Sequence, residues 1–252
     1  MSHSFNEVQS ALMRCSSTAV VMRSHGDATL VFFYLPVVST GGSLSRNSIR
    51  RTGHFMSKLF FRYGAMNSGK STAMLQVAHN YEERGQQVLL IKPAKDTKGD
   101  DQIVSRLGVA RHADLLLLPD QDLRTTFHAL SDQQDSVLHS VACLLIDEAQ
   151  FLTPEQVDQA LAIAVLDEIP VVAFGIRTDF RTQAFPGSRR LMEVAHSLQE
   201  MKTICRCGKK AIFNARLGDA GIVREGEQVV IDGDNVRYEA LCGRCYLEAA
   251  AS

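Results

Sequence analysis

The sequence lacks an excess of charge of either sign. Its 252 residues carry 27 Lys and Arg against 28 Asp and Glu, which leaves a formal net charge of −1. A protein that binds nucleic acid over a broad surface needs a positive field to attract the phosphates. The balanced charges provide no overall basic field, so any nucleic-acid role would be local, and we expect no nucleic-acid partner.

Long hydrophobic runs are also absent. The longest candidate, residues 28–38, has about half of the roughly 20 residues that a membrane-spanning helix requires. The chain is nevertheless 45% hydrophobic, which suffices to bury a genuine core in one full domain with a small appendage. We expect a soluble globular protein without a membrane partner.

The first 55 residues contain no lysine and only two acidic residues, Glu7 and Asp27, but ten serines and five arginines. They show no sustained helical or strand period, so we expect residues 1–55 to lie outside the fold. Three interpretations stay open: a disordered tail, a start codon placed too far upstream, and an organelle transit peptide. The first two are favoured because Met56 stands directly before the first convincing strand.

Cysteine is scarce, but four of the six cysteines form two close pairs, Cys205/Cys207 and Cys242/Cys245. Close pairing in an intracellular enzyme favours a metal over disulfides. Four thiolates can surround Zn²⁺ tetrahedrally and leave no position for water, which predicts a structural zinc site. Disulfides and free thiols are the alternatives. Cys143 lies in an apolar run and is interpreted as a core residue.

An alternation of short apolar runs with longer helix-like segments begins at residue 58. Gly85 is typical of a helix end and Thr153 of a helix start. The succession predicts an α/β fold with a mostly parallel sheet and helices on both faces. The predicted strands are residues 58–63, 88–91, 115–118, 141–146 and 170–175, and the predicted helices are residues 70–84, 121–134 and 154–166.

Two stretches depart from this alternation. Residues 92–111 are polar, which predicts a long loop that acts as a lid or an excursion. After residue 201, paired cysteines, glycines and short β runs predict a small zinc-ribbon-like β module. We place the α/β domain at residues 56–203, a zinc-binding module at 204–248 and a tail at 249–252.

A phosphate-loop motif, G-x-x-x-x-G-K-[ST], follows the first predicted strand and opens a helix. In such a loop the main-chain N–H groups surround the β-phosphate, Lys70 reaches the β and γ oxygens, and the Ser71 hydroxyl ligates Mg²⁺. This context predicts a fold of the P-loop NTPase type that binds Mg-ATP; an ordinary glycine turn is the alternative. The motif is Gly64, Ala65, Met66, Asn67, Ser68, Gly69, Lys70 and Ser71.

A second acidic motif, Asp147-Glu148-Ala149-Gln150, follows the apolar run at 141–146. Ligands gather at strand ends in such sheets, so we assign all four residues to the ATP site. Asp147 is expected to support the Mg²⁺ shell and Glu148 to take a proton from the attacking oxygen. A solvated acidic turn is one alternative. A nucleic-acid-stimulated ATPase is another, although the remaining chain is short for a second motor domain.

The order of the motifs resembles that of the type II thymidine kinases, the cytosolic-type, zinc-containing family, and especially of its bacterial members. The resemblance runs over about residues 56–248. It is carried by the phosphate loop, Lys95-Asp96-Thr97, Asp147-Glu148-x-Gln150-Phe151, Asp179-Phe180-Arg181 with Phe185, and the paired cysteines that flank a hairpin with Tyr238.

The resemblance implies transfer of the γ-phosphate of ATP to the 5′-hydroxyl of thymidine, and of deoxyuridine, in nucleotide salvage. Glu148 would be the catalytic general base. Zinc would anchor both ends of a lid that orders around the nucleoside. The implied substrate-binding residues are Asp96, Phe151, Phe180, Phe185, Gln228, Val230 and Tyr238.

The resemblance further implies a cytoplasmic homotetramer that requires Mg²⁺ with ATP and one structural Zn²⁺, and that is inhibited by dTTP. Three departures from the family pattern stand out. Lys98 replaces an arginine that could contact phosphate with two hydrogen bonds. Ala149 replaces the more usual Gly or Cys, and the turn at residues 231–237 is one residue longer. A binding module with a merely regulatory nucleotide site is the remaining alternative.

Overall fold

The computed structural model describes residues 57–94, 102–104, 108, 110–133, 141–218, 221–226, 228 and 237–251. Several predictions fall outside the described residues. These concern the segment 1–55, Asp96, Lys98, Val230 and most of the turn at 231–237.

Six parallel strands form the central sheet of the described residues, in the order β5-β2-β6-β7-β1-β8. Apolar runs supply its inner strands, and the mostly parallel sheet predicted from them is confirmed. In chain order, the strands of this half are β1 (Leu59–Tyr63), β2 (Gln87–Pro93), β3 (Gln102–Val104), β4 (Ala110–His112), β5 (Leu115–Leu117), β6 (Val141–Ile146), β7 (Val171–Gly175) and β8 (Ser197–Glu200).

Helices cover both faces of the sheet because successive strand residues point to opposite sides. On β6, Leu144 and Ile146 pack in one core cluster, whereas Cys143 and Leu145 pack in the other. The helix α1 (Lys70–Glu82) lies on the Cys143 side. The opposite side holds α2 (Leu123–Gln133), α3 (Pro154–Leu166) and α4 (Pro186–Val194).

The start of α3 shows how local sequence sets an element boundary. Thr153 accepts a hydrogen bond from the main chain of Gln156, and the Gln156 side chain accepts one from the main chain of Thr153. Pro154 occupies the first turn, where its missing N–H costs nothing. The observed helix therefore coincides with the predicted one.

The prediction of one long loop at residues 92–111 is wrong in part. β2 continues to Pro93, and β3 pairs antiparallel with β4. The sequence analysis also missed α4 and β8. Three of the four residues of β8 are exposed at the edge of the sheet, so no apolar run marks it.

The C-terminal part of the chain, here called the cysteine module, comprises the described residues from 203 to 251. It is built from short β elements, as predicted, and it ends in a helix that the sequence analysis did not predict. Its elements are β9 (Thr203–Ile204), β10 (Lys210–Ala211), β11 (Phe213–Gly218), β12 (Gly221–Val223), β13 (Arg237–Leu241) and α5 (Gly243–Ala251). The strands β12, β11 and β13 form an antiparallel sheet in that order. None of the described helices is both long and apolar enough to cross a bilayer.

Candidate active site

A cavity of about 840 Å³ opens at the carboxyl ends of β1, β6 and β7. This is the edge of a parallel sheet at which ligands bind, and the volume lies in the range of small-molecule sites. The cysteine module closes the cavity with residues of β11 and β13. Some of the residues assigned to ATP line it, and so do five of those assigned to thymidine: Phe151, Phe180, Phe185, Gln228 and Tyr238.

The phosphate loop connects β1 to α1. Gly64 lies against a neighbouring chain segment so closely that an added Cβ would stand 2.4 Å from the carbonyl oxygen of Met201. The left-handed conformations of Asn67, with φ 65°, and Gly69, with φ 76°, then curve the chain into the helix. The loop therefore presents the amino end of α1 to the cavity, where the helix dipole favours an anion.

The Lys70 side chain folds back over the loop. Its ammonium group donates to the carbonyl oxygens of Ala65, at 3.0 Å, and Gly64, at 3.3 Å, and to Ser68 Oγ at 3.4 Å. Residues 66–71 line the cavity, whereas Gly64 and Ala65, at the start of the loop, are buried and do not line it. Lys70 itself lines the cavity, so its ammonium group is held between the loop and the cavity.

Glu148 lines the same cavity from the turn after β6. Its backbone is left-handed, with φ 49° and ψ 38°, at the start of a short 3₁₀ helix, Ala149–Phe151. The buried Gln150 side chain donates to the Glu148 carboxylate and accepts a hydrogen bond from the main chain of Ile176, at 3.1 Å. Gln150 is thus anchored at Ile176, directly after β7, and orients the Glu148 carboxylate. An oriented carboxylate can remove a proton from a hydroxyl group.

Asp147 lies beneath the cavity and does not line it. The residue is 5% exposed, and its main-chain N–H donates to the carbonyl oxygen of Ile91 at 2.9 Å. Burial and the nearby Glu148 charge raise the pKa of Asp147 to about 6, against the opposing effect of Lys92 and Lys70. Ala149, also assigned to the ATP site, is fully buried and contributes no surface to the cavity.

Aromatic rings form one wall of the cavity. Phe151 and Phe185 meet edge to face, with ring centroids 5.5 Å apart and an interplanar angle of 81°. The guanidinium of Arg216 stacks on the Phe180 ring at 3.7 Å, and Arg216 Nε donates to the Tyr238 hydroxyl at 2.9 Å. Such a wall suits a flat, partly apolar base.

Hydrogen bonds join the cysteine module to the segment after β7 around this wall. Gln228 Nε2 donates to Asp179 Oδ2 at 3.2 Å, and Asp179 also pairs with Arg181 at 3.1 Å. The Tyr246 hydroxyl donates to the carbonyl oxygen of Phe180 at 2.6 Å. The two parts of the chain thus build one site.

Sequence reasoning missed Ile176 and Asn214, which line the cavity, and Arg216, which supports its wall. Asn214 and Arg216 are buried and alternate on β11. Polar residues at alternate positions of a short strand are the signal that could have indicated them.

The four paired cysteines of the cysteine module form a compact cluster. Their sulfur atoms all lie within 4.8 Å of one another, and Cys207 Sγ is 3.5 Å from Cys242 Sγ. A disulfide bond is about 2.05 Å long, and the described cysteines are free thiols. A tetrahedral site with Zn–S bonds of about 2.3 Å has edges of about 3.8 Å, which this cluster fits.

The thiols of this cluster also shift one another's pKa. Burial raises the pKa of Cys205, but hydrogen bonds from the main-chain N–H groups of Cys207 and Cys242 outweigh it and lower the pKa to about 6. Contacts with the sulfur atoms of Cys207 and Cys242 raise the pKa of Cys245 to about 12. A bound divalent cation would relieve the repulsion among four thiolates.

Comparisons with known proteins cover most of the described chain. The model of the thymidine kinase family matches residues 57–246. The thymidine kinase of Idiomarina loihiensis is 48% identical over 196 residues, 77% of this chain and 98% of that protein. The thymidine kinase of Chromobacterium violaceum is 47% identical over 193 residues, 76% and 98% of the two chains. That of Enterobacteria phage T4 is 43% identical over 195 residues, 77% and 97%. The chain belongs to the thymidine kinase family, as its motif order predicts.

Proposed function

We propose that the protein transfers the γ-phosphate of ATP to the 5′-hydroxyl of thymidine, and of deoxyuridine, for nucleotide salvage in the cytoplasm. The observation that carries this proposal is the single cavity that joins the phosphate loop, the Glu148 carboxylate and an aromatic wall. A phosphate donor, a base and a place for the acceptor are thereby within one small-molecule site.

The phosphate loop binds the triphosphate in this proposal. Main-chain N–H groups of residues 67–71 and the Lys70 ammonium face the β- and γ-phosphates. Ser71 would hold Mg²⁺, which neutralises charge on the phosphates, and the buried Asp147 would support the Mg²⁺ shell from beneath the cavity. Glu148, oriented by Gln150, removes the proton of the 5′-hydroxyl as that oxygen attacks phosphorus.

The nucleoside base lies against the aromatic wall. Phe151, Phe180 and Phe185 provide apolar surface, and Tyr238 and Gln228 close the cavity from the cysteine module. Asp96 and Val230, outside the described residues, remain proposed substrate contacts. We also propose that the module, residues 204–248, acts as a lid on the α/β kinase domain, residues 56–203.

We propose Zn²⁺ for the cluster of Cys205, Cys207, Cys242 and Cys245, because four thiolates are its preferred closed set. Inhibition by dTTP and a homotetrameric assembly are proposed from membership of the family. No observation on the described residues favours the nucleic-acid-stimulated ATPase.

The experiment that tests this function follows label from γ-labelled Mg-ATP to thymidine, with and without single-stranded DNA. We expect labelled dTMP, independent of DNA. Glu148→Gln should bind ATP normally but lose at least about a hundredfold in turnover, the scale of a general base. The exposed Glu155→Gln, on the first turn of α3, is the matched control and should retain full turnover.

Two results would contradict the proposal. DNA-dependent release of phosphate without labelled nucleoside would identify an ATPase. Full turnover in the Glu148→Gln enzyme would remove Glu148 from the mechanism, even if thymidine is phosphorylated.

A further inference from the structure

Three consecutive residues of the phosphate loop contact the cysteine module. Ala65 is buried in the same small core as Cys205 and Cys242. The next residue, Met66, donates its main-chain N–H to a side-chain oxygen of the module, and the carbonyl oxygen of Asn67 accepts from Thr203 Oγ1 at 3.2 Å. The loop therefore rests on the module along its first half.

The central contact of the three belongs to Asn214 on β11. Asn214 Oδ1 accepts the Met66 N–H at 2.7 Å, and Asn214 Nδ2 donates to the carbonyl oxygen of Thr178 at 3.3 Å. One partner is a donor and the other an acceptor, so they determine which way the amide group points. The side chain is 3% exposed, so water competes little for either hydrogen bond.

The position of Asn214 is tied to the cysteine cluster through the sheet of the module. Asn214 is opposite Ala240 in the pairing of β11 with β13. Ala240 precedes Cys242 by two residues, and the intervening Leu241 accepts a main-chain hydrogen bond from Ile212 at 2.9 Å. A shift of the cysteine cluster would therefore move Asn214 with it.

The contact also fixes the point from which the loop begins to curve. Because the Met66 N–H is bonded to Asn214, the amides that can face phosphate are those that follow it. Asn67 comes next, and its left-handed backbone is uncommon for a residue other than glycine, although Asn adopts it more readily than most. An external hydrogen bond on each side of that residue holds the chain in this conformation.

We propose that Asn214 is a positioning residue that holds the phosphate loop in its nucleotide-binding conformation, so that ATP binding depends on the folded cysteine module. The proposal rests on the role of the loop in ATP binding proposed above.

The test compares two substitutions of nearly the same shape. Asn214→Leu removes the acceptor for the Met66 N–H, whereas Asn214→Asp keeps one. We expect hydrogen exchange at the Met66 amide to quicken at least about tenfold in the leucine variant, and the Kd for Mg-ADP to rise about tenfold, as for the loss of one buried hydrogen bond. The aspartate variant should retain the protection of Met66, although its charge repels the phosphates.

The matched control makes the same change at a surface site. Asn80→Leu lies near the end of α1, is exposed and should change neither measurement. Unaltered exchange at Met66 in the folded leucine variant would overturn the proposal. Should that variant not fold, Asn214→Ala is measured in its place with the same expectations.

Exchange and ADP binding do not require turnover. An enzyme that fails to phosphorylate thymidine would contradict the proposed function alone, whereas unchanged ADP affinity in the leucine variant contradicts the role of Asn214.

Discussion

Asp147 and Glu148 are adjacent in the chain but lie in different surroundings. The left-handed backbone of Glu148 turns its side chain into the cavity, while Asp147 remains under the sheet edge at 5% exposure. One carboxylate is therefore open to a substrate, and the other is costly to ionise.

The buried carboxylate predicts a gain in stability when its charge is removed. The pKa of Asp147 rises from 3.8 to about 6, so the folded protein holds the proton more tightly than the unfolded chain. This stabilisation is complete below pH 3.8 and is lost as the pH rises through 6. The free energy of unfolding of Asp147→Asn should therefore exceed that of wild type by about 1–3 kcal/mol at pH 7.5, but not at pH 4. Urea denaturation without Mg²⁺ or nucleotide measures this, and turnover should fall in the same variant.

A second aspartate provides a control of opposite sign. Asp122 accepts the main-chain N–H of Thr125 at 2.7 Å, and the main-chain and side-chain groups of Thr125 lower its pKa. Its contribution to stability is present above its unfolded pKa and disappears as the pH falls. Asp122→Asn should thus be less stable than wild type at pH 7.5. If both variants were more stable than wild type at pH 7.5, or if neither were, the result would contradict the assignment of Asp147 as a destabilising charge.

At the scale of elements, α4 packs directly on the 3₁₀ helix that carries the Glu148–Gln150 pair. An added Cβ on Gly187 would stand 2.6 Å from the carbonyl oxygen of Leu152 and 2.7 Å from that of Ala149. Both atoms belong to the backbone, so neither can rotate away. Glycine at this position therefore sets the distance between the two elements.

Gly187→Ala should displace the 3₁₀ helix and with it the carboxylate of Glu148. We expect a loss of about 1–3 kcal/mol in the free energy of unfolding, as for an overpacked core, and a lower kcat. Gly243→Ala, in the first turn of α5, is the control. The nearest atom to its Cβ, on the Phe213 ring, is 3.6 Å away, so the change should stay within about 0.5 kcal/mol. Equal effects of the two substitutions in thermal melts and steady-state assays would argue against the close packing.

Local sequence predicted the elements whose signal lies in a few neighbouring residues. The apolar run of β6 and the capping residues of α3 gave their observed bounds, whereas β8 is an exposed edge strand that gave no apolar run. Motifs indicated the phosphate loop and Glu148 because the residues of each motif are also neighbours in the chain. The sequence analysis missed the role of Asn214 because its hydrogen-bond partner, Met66, is 148 positions away in the chain. Only the tertiary fold brings such a pair together.

At the scale of the whole molecule, the described residues form three buried clusters that differ in the size of their side chains. The two clusters beside the parallel sheet contain large aliphatic and aromatic side chains such as Phe61, Phe174 and Leu144. The buried residues of the cysteine-module cluster are one leucine, Leu241, and otherwise alanines and cysteines, with Ile222 and Tyr246 packed against them only partly buried. Small side chains bury little apolar surface, so this module cannot draw its stability from the hydrophobic effect alone.

Metal removal should therefore unfold the cysteine module before the sheet. In Cys207→Ser, which removes one sulfur ligand of the cluster, we expect loss of the proposed Zn²⁺ and a first melting transition lower by at least about 5 °C, the scale of a few kcal/mol. Proteolysis of this variant should cut within residues 205–248 and leave residues 57–200 intact, because the two large clusters contain none of the four paired cysteines. Cys143→Ala, in the core beside β6, is the control: it should lower stability but retain the metal. A metal-free Cys207→Ser protein that melts in one transition at the wild-type temperature would show that the module is stable without its ligand cluster.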